Sequence, residues 1–153
     1  MTNPPEFHFQ SPEESSGYLL WQVTMLWQRQ MNRALSELDL THTQFVILAT
    51  LGWLIKDKSE VTQVDISNHS NTDRMMVSKV IANLQDKNFV HRQEHSTDTR
   101  AKSVSLTREG NSILQMALKV VEQTDNAFFS HLASQQSSYN NMMKVLYKNN
   151  EQS

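Results

Sequence analysis

The sequence of 153 residues contains no cysteine and only three glycines and three prolines. Without cysteine the chain has no disulfide, no thiolate metal site and no thiol nucleophile. Three glycines cannot supply a glycine-rich phosphate loop, and no nucleophile stands at a recognisable spacing from a base. No apolar run reaches the roughly 18 residues that a membrane span needs. We therefore expect a soluble, cytoplasmic protein without a cofactor, and neither an enzyme nor a membrane protein.

Positive charge is also scarce, because the formal net charge is −2 and the isoelectric point is near 6.3. Most nucleic-acid binders carry a net positive surface, so the whole-chain charge weakly disfavours that class. The average conceals a local difference, since residues 72–110 hold seven of the 14 lysines and arginines but five of the 16 acidic residues, a net +2. Attraction to phosphate acts over about 8 to 10 Å in salt. The local charge therefore keeps DNA binding open.

The segment from Thr62 to Gly110 predicts a short helix, a turn, a longer helix and two strands joined by a polar hairpin. In the longer helix, spacings of three and four predict one buried stripe that contains Val77, Val80, Ile81 and Leu84. The opposite face of that helix carries Met75, Ser78, Lys79, Ala82 and Asp86. A helix with such a polar, partly cationic face can lie in the major groove of DNA.

Two predicted strands follow this helix, at residues 89–93 and 102–106, and each alternates apolar with polar side chains. Residues 95–101 between them have no apolar side chain larger than alanine, which predicts a solvated hairpin tip. His91 and His95 are four residues apart, but on a strand that spacing only repeats one face and completes no metal site. Helix, turn, helix and two-stranded ribbon in this order indicate a winged helix-turn-helix.

Four short motifs of this segment resemble the MarR family of bacterial transcription regulators, namely Asp73-Arg74, Leu84-x-x-Lys87-x-Phe89-Val90, Asp98-x-Arg100 and Ser105-Leu106-Thr107-x-x-Gly110. With the flanking helices, the resemblance covers nearly the whole chain. Asn88 stands where that family commonly has glycine, and asparagine is the next residue most able to adopt the left-handed backbone conformation. The resemblance implies a mainly α fold with a small β-wing, in which N- and C-terminal helices form an intertwined dimerisation region.

Helical segments are predicted on both sides of the winged motif. Capping boxes that begin at Ser11 and Thr41 predict the starts of the first two helices. Thr107 is predicted to cap a long helix that extends to Leu132, and a last amphipathic helix precedes a polar tail from Lys148 to Ser153. We assign residues 1–10 to an N-terminal arm, residues 11–40 and 108–150 to the dimerisation region, and residues 41–107 to the DNA-binding winged helix-turn-helix.

These patterns and the resemblance predict a regulator that binds specific double-stranded DNA as a homodimer, with a repressor as the implied type. Two recognition helices related by a two-fold axis require an inverted-repeat operator. Arg100 is expected in the minor groove, with Asp98 holding the turn and pairing with an arginine. The expected DNA contacts are Thr72, Arg74, Met75, Ser78, Lys79, Arg92, Asp98, Arg100 and Lys102.

Two alternatives remain open for this region. Met75 can instead fill a gap against a neighbouring helix. A winged helix used only for protein contacts is the alternative function, which the apolar side chains of Met75 and Met76 favour and the surrounding cations oppose.

The resemblance also implies release from DNA by a small aromatic effector, bound between the winged motif and the dimerisation helices. The side chains expected to line that pocket are Trp21, Met25, Gln28, His42 and Phe45. Apolar walls with a few polar groups are usual for small-molecule pockets, and core packing is the alternative for each of the five. The N-terminal arm also has two interpretations, a tail without fixed structure or a segment that packs on the partner subunit through Phe7 and Phe9.

Overall fold

The structure is a computed structural model, and it describes residues 1–151. It is mostly helical, with one small antiparallel sheet, so the predicted fold class is confirmed. The elements are α1 Ser16–Leu35, α2 His42–Leu54, β1 Val61–Thr62, α3 Gln63–Ser70, α4 Arg74–Asp86, β2 Val90–Glu94, β3 Lys102–Leu106, α5 Arg108–Phe129 and α6 Gln136–Asn150. Short 3₁₀ turns occupy Pro12–Glu14, Ser36–Leu38 and Ser130–Gln135. Within residues 1–151, no helix combines the length and the apolar character that crossing a lipid bilayer demands.

The sheet has three strands in the order β1-β3-β2, so the predicted two-stranded ribbon was incomplete. In β1, Val61 pairs with Val104 and Thr62 pairs with Ser103. β2 pairs antiparallel with β3 from Val90 opposite Leu106 to the other end of both strands. A strand of two residues is too short to show the alternation of apolar and polar side chains by which strands are recognised. The pairing nevertheless ties the start of α3 to the wing.

The hydrophobic core lies where α2, α3, α4 and the first half of α5 meet the sheet. The predicted stripe of α4 is confirmed, because Val77, Val80, Ile81 and Leu84 are all buried. Gly110 is the tightest point, since a Cβ atom there would lie 1.8 Å from the carbonyl oxygen of Phe89. Only glycine therefore allows the start of α5 to pack against the backbone of Phe89, between α4 and β2.

Two of the three predicted helix N-caps are confirmed. Thr41 and Gln44 form the predicted capping box of α2, with both hydrogen bonds at 3.1 Å. The capping box predicted at Ser11 is wrong, because only a 3₁₀ turn begins there and its N-cap side chain bonds no backbone group. Ser15 caps α1 instead, accepting a hydrogen bond from the backbone N–H of Tyr18 at 3.3 Å. Thr107 caps α5 as predicted, accepting from the N–H of Gly110 at 2.9 Å.

The C-terminal helices differ from the prediction at their junction. The helix expected to extend to Leu132 ends at Phe129, and Ala133 in the following turn has φ 48° and ψ −123°. The expected polar tail from Lys148 to Ser153 is helical as far as Asn150, and its last two residues lie outside the described residues. Residues 1–10 contain no helix or strand, and the side chains of Phe7 and Phe9 are exposed.

Candidate nucleic-acid interface

The turn between α3 and α4 is built from hydroxyl groups and one carboxylate. Ser67 Oγ donates to the carbonyl oxygen of Thr72 at 2.5 Å, and the backbone N–H of Thr72 donates to the carbonyl oxygen of Ser67 at 3.1 Å. Asp73 then caps α4, because its Oδ1 accepts from the N–H groups of Met75 and Met76 at 2.9 and 3.1 Å. Thr72 is half-buried within this turn, and its hydroxyl donates to the carbonyl oxygen of Ser70 at 3.3 Å.

The outward face of α4 is open to solvent at its N-terminal end. Met75 is 82% exposed, so its alternative as a gap filler against a neighbouring helix is wrong. Arg74 and Lys79 are exposed beside it, and Ser78 is half-buried. One thioether and two cations thus stand on the same short stretch of helix, free to meet base edges and phosphates.

Arg92 has a different position from the other predicted contacts. Its guanidinium lies half-buried and donates to Gln63 Oε1 at 3.0 Å and to Ser78 Oγ at 3.4 Å. Its backbone N–H donates to Gln85 Oε1 at 2.8 Å. Arg92 therefore connects the wing strand β2 with both α3 and α4. These bonds engage the guanidinium inside the motif. They therefore fix the angle between the wing and α4, the predicted recognition helix.

The wing tip is a compact turn held by backbone bonds. Asp98 Oδ1 accepts from the backbone N–H of Arg100 at 3.0 Å, and its carbonyl oxygen accepts from the N–H of Ala101 at 3.0 Å. The prediction that Asp98 holds the turn is confirmed, although its recorded hydrogen-bond partner is a backbone N–H and not a guanidinium. The side chains of Arg100 and Lys102 are exposed.

Glu60 is the residue of this region that the sequence analysis missed. Its carboxylate accepts hydrogen bonds from the N–H and Oγ of Ser96 at 3.0 and 2.6 Å and from Ser103 Oγ at 2.8 Å. His95 Nε2 lies 3.3 Å away. The hydrogen bonds from Ser96 and Ser103 lower the pKa of Glu60 to about 2. No local sequence pattern indicates these contacts, because the partners of Glu60 meet it only when β1 joins the sheet.

Positive side chains surround the recognition helix and the wing. Lys87 is held away from this surface, because its Nζ lies 3.3 Å from Asp39 Oδ2 and also donates to the Asp39 carbonyl oxygen. The cations left exposed around the motif are Arg74, Lys79, Arg100, Lys102 and Arg108. In the described residues 1–151, no group of three or more His, Asp or Glu side chains is arranged to hold a metal ion.

The five residues expected to line an effector pocket differ widely in burial. Trp21 is 63% exposed and Gln28 is exposed, whereas Phe45 is buried in the core. His42 packs on Phe45, with ring centroids 6.3 Å apart, and meets Trp27 edge-on at 4.8 Å. Phe45 is thus a core residue, whereas ligand binding by the five residues stays a prediction. Met25 is half-buried on α1.

The junction around His42 is nevertheless polar at one point. Trp27 Nε1 donates to Asp125 Oδ1 at 2.8 Å, which joins α1 to α5. Burial lowers the pKa of the His42 imidazole, and the nearby carboxylate of Asp125 opposes that shift. The neutral ring is thus the form that this junction favours.

A cavity lies elsewhere, where α1 faces the end of α5 and the start of α6. Its volume is about 510 Å³, and its lining is mainly aromatic and aliphatic with a few polar groups. The lining residues are Val23, Gln30, Ala127, Phe128, Phe129, His131, Leu132 and Tyr139. None of the five residues expected to bind an effector is among them.

Comparison with known proteins agrees with this architecture. A family described as "ArnR1-like, winged-helix domain" matches residues 36–123. The uncharacterized HTH-type transcriptional regulator YdcH of Bacillus subtilis (strain 168) is 38% identical over 143 residues, which cover 92% of this chain and 97% of that protein.

Two solved structures show the same fold. A mutant of MarR from E. coli in complex with operator DNA has a TM-score of 0.76 at 23% identity, covering 85% of this chain and 91% of that one. CouR from Rhodococcus jostii RHA1 bound to p-coumaroyl-CoA has a TM-score of 0.76 at 21% identity, covering 91% of this chain and 94% of that one.

Proposed function

Because the chain belongs to the MarR family of winged helix-turn-helix transcriptional regulators, we propose that it is a non-enzymatic, cytoplasmic repressor that binds a specific DNA operator as a homodimer. Two recognition helices related by a two-fold axis enter major grooves about 34 Å apart, so the operator is an inverted repeat. The exposed, cationic N-terminal half of α4 beside an exposed basic wing is the observation that carries this proposal.

The proposed contacts divide into three groups. Arg74, Met75 and Lys79 meet the major groove, where the thioether of Met75 suits a thymine methyl group. Arg100 enters the minor groove, and Lys102 meets the phosphate backbone. The remaining predicted residues act mainly by holding the contact side chains in position. They are Thr72, Ser78, Arg92 and Asp98.

The proposed dimerisation region comprises residues 11–40 and 108–150, with the arm of residues 1–10 packing on the partner subunit. Support comes from large apolar side chains that α1 and α6 leave exposed. Those on α1 are Tyr18, Leu19, Leu20, Trp21, Val23 and Leu26, and those on α6 are Met142, Met143, Val145, Leu146 and Tyr147. Large exposed apolar patches on soluble proteins mark sites of protein–protein interaction.

We also propose that a small aromatic molecule releases the protein from DNA. The cavity of about 510 Å³ beside Phe128 and Tyr139 supports this step better than the five residues expected from the sequence. The cavity lies between α1, the end of α5 and the start of α6, so a bound ligand can change the distance between the two DNA-binding regions of a dimer. A ligand acts only through different affinities for the DNA-competent and incompetent arrangements.

Selection of bound duplexes from a random double-stranded DNA pool, followed by sequencing, tests the proposal. We expect enrichment of an inverted repeat whose half-site centres are about one helical turn apart. A chain used only for protein contacts, which the exposed Met75 and Met76 favour, would enrich no duplex at any salt concentration. Enrichment of a motif without two-fold symmetry would contradict the homodimer while leaving DNA binding intact.

A further inference from the structure

We propose that Glu60 is a positioning residue for the wing, holding the hairpin tip in the conformation from which Arg100 reaches DNA. This inference rests on the proposed DNA-binding function and names a residue that does not itself touch DNA. Glu60 stands directly before β1, outside both the recognition helix and the wing. Its role is therefore to connect the body of the motif with a loop that would otherwise be anchored only by its own two strands.

The geometry of the carboxylate carries the first step. Glu60 accepts from Ser96, which lies just after β2, and from Ser103, which lies near the start of β3. One side chain thus bonds both ends of the hairpin tip. Only 27% of its side chain is exposed, so water competes weakly for these oxygens. Ser103 itself is 5% exposed, which fixes that end of the contact inside the sheet.

His95 extends the contact from Glu60 to the tip. Its Nε2 lies 3.3 Å from Glu60 Oε2, and its Nδ1 accepts from the backbone N–H groups of Thr97 and Asp98 at 3.2 and 3.1 Å. Nδ1 must be unprotonated to accept these bonds, so the contacts assign the proton to Nε2, facing the carboxylate. Asp98 in turn bonds the N–H of Arg100. A continuous series of bonds therefore runs from Glu60 to the backbone of Arg100.

The tip needs this support because it has no apolar anchor. Residues 96–100 are all exposed, and no side chain between Ser96 and Arg100 is apolar. Ordering such a loop at the moment of binding weakens the observed affinity by the fraction of time that the competent conformation is present. If loss of the Glu60 contacts leaves the tip competent about one tenth of the time, the apparent Kd rises about tenfold.

The sign of the effect separates positioning from simple electrostatics. Glu60 is an anion close to a surface proposed to bind DNA, so deleting its charge should strengthen binding if charge alone matters. Positioning predicts the opposite, namely weaker binding. Asp57 provides the matched control, because it is an exposed carboxylate three residues away in the same loop. Asp57→Ala should leave affinity unchanged or slightly improved.

The experiment measures fluorescence anisotropy on the duplex enriched by the wild-type protein, at several salt concentrations. We expect Glu60→Ala to raise Kd about tenfold, because the competent tip is then present about one tenth of the time. The salt slope should stay unchanged, because the Arg100 contact still forms in the bound complex, whereas Arg100→Ala itself lowers the slope by about one. In an Arg100→Ala background, Glu60→Ala should add little, because the contact that it supports is already gone. Glu60→Gln should recover part of the affinity, since the amide oxygen still accepts from Ser96.

Two further measurements guard against a folding defect. Thermal unfolding should keep a single transition in each variant, and amide exchange at Thr97 and Asp98 should be faster in Glu60→Ala than in Asp57→Ala. If Glu60→Ala does not fold, His95→Ala tests the same series of bonds and should weaken binding in the same direction. Unchanged or tighter binding by the folded Glu60 variant, or full additivity with Arg100→Ala, would overturn the inference. If the wild type binds no duplex, the proposed function itself fails.

Discussion

Hydrogen bonds to the backbone of the turn hold Arg100 in place, and its guanidinium is exposed. Asp98 and Ala101 define the turn around it, while the side chain extends into solvent. A free guanidinium at the tip of a wing suits the narrow, electronegative minor groove. Arg92 shows the contrast, because the same chemical group is engaged by Gln63 and Ser78 inside the motif.

Arg100→Ala should therefore weaken operator binding at least about tenfold and reduce the dependence of log Kd on log salt by about one. Titration of a labelled operator at several salt concentrations measures both quantities. Lys56→Ala, which removes an exposed cation just after α2 that is not among the proposed contacts, should change neither quantity appreciably. Equal losses in both variants would mean that only overall charge matters and that the wing makes no specific contact.

Glu60 also makes a prediction about pH. Its hydrogen bonds lower its pKa from 4.5 to about 2, so the folded chain prefers the ionised carboxylate more strongly than the unfolded chain does. The resulting stabilisation is fully present above pH about 5 and is lost as pH falls from about 4.5 towards 2. Chemical denaturation of the wild type and of Glu60→Gln should show a constant gap in unfolding free energy between pH 7 and 5. That gap should shrink at pH 4 and 3, and one that widened on acidification would contradict the assignment.

At the scale of elements, the features that could be predicted were those encoded by residues close together in the sequence. The stripe on α4 recurs over several turns, and Thr41 with Gln44 is a complete local motif, so both could be identified from neighbouring residues alone. β1, the Glu60 contacts and the partners of the Arg92 guanidinium depend on residues 14 to 43 positions apart. No local pattern encodes such pairings. The expected effector pocket stays a prediction, because apolar side chains at helical spacing predict burial without predicting which neighbour buries them.

Ala133 is a strained position in the turn between α5 and α6. Its φ of 48° and ψ of −123° lie in a region that a Cβ atom disfavours and that glycine adopts readily. Ala133→Gly should therefore stabilise the chain by about 1 kcal/mol, the strain relieved less the extra backbone entropy of glycine in the unfolded state. Thermal or urea unfolding measures the difference. The same exchange at Ala127, inside α5, should destabilise by about 1 kcal/mol, and a loss of stability at both positions would show that the turn is not strained.

At the scale of the whole molecule, the distribution of apolar surface separates two regions. The winged motif buries its apolar residues around α2 to α4, and its exposed face is polar and cationic. α6 has no buried residue at all, and α1 buries only Met31 and Leu35 near its C-terminal end. Helices of this kind gain their stability from packing against another surface. A second copy of the chain supplies that surface in the proposed dimer and, by the same contact, sets the spacing of the two recognition helices.

A charge introduced on the exposed apolar surface of α6 should therefore separate the subunits. The same change should abolish tight binding to the operator. Leu146→Glu, on an exposed apolar position of α6, places a carboxylate in the proposed interface, where an unpaired charge is costly. We expect sedimentation at micromolar concentration to shift from dimer to monomer. Affinity for the full operator should fall by about a hundredfold or more, because two linked half-site contacts become independent ones. Affinity for a single half-site should stay that of one wild-type DNA-binding region.

Trp53→Glu is the matched control for this change. Trp53 is a comparably exposed apolar side chain, but it lies on α2, outside the proposed interface, with Lys56 Nζ 4.2 Å above its ring. The Trp53 variant should remain a dimer and keep its affinity for the full operator. A monomeric wild type would refute the dimer directly. A Leu146 variant that stays dimeric and binds the operator normally would instead move the interface away from α6, leaving α1 and α5 to set the spacing between the two recognition helices.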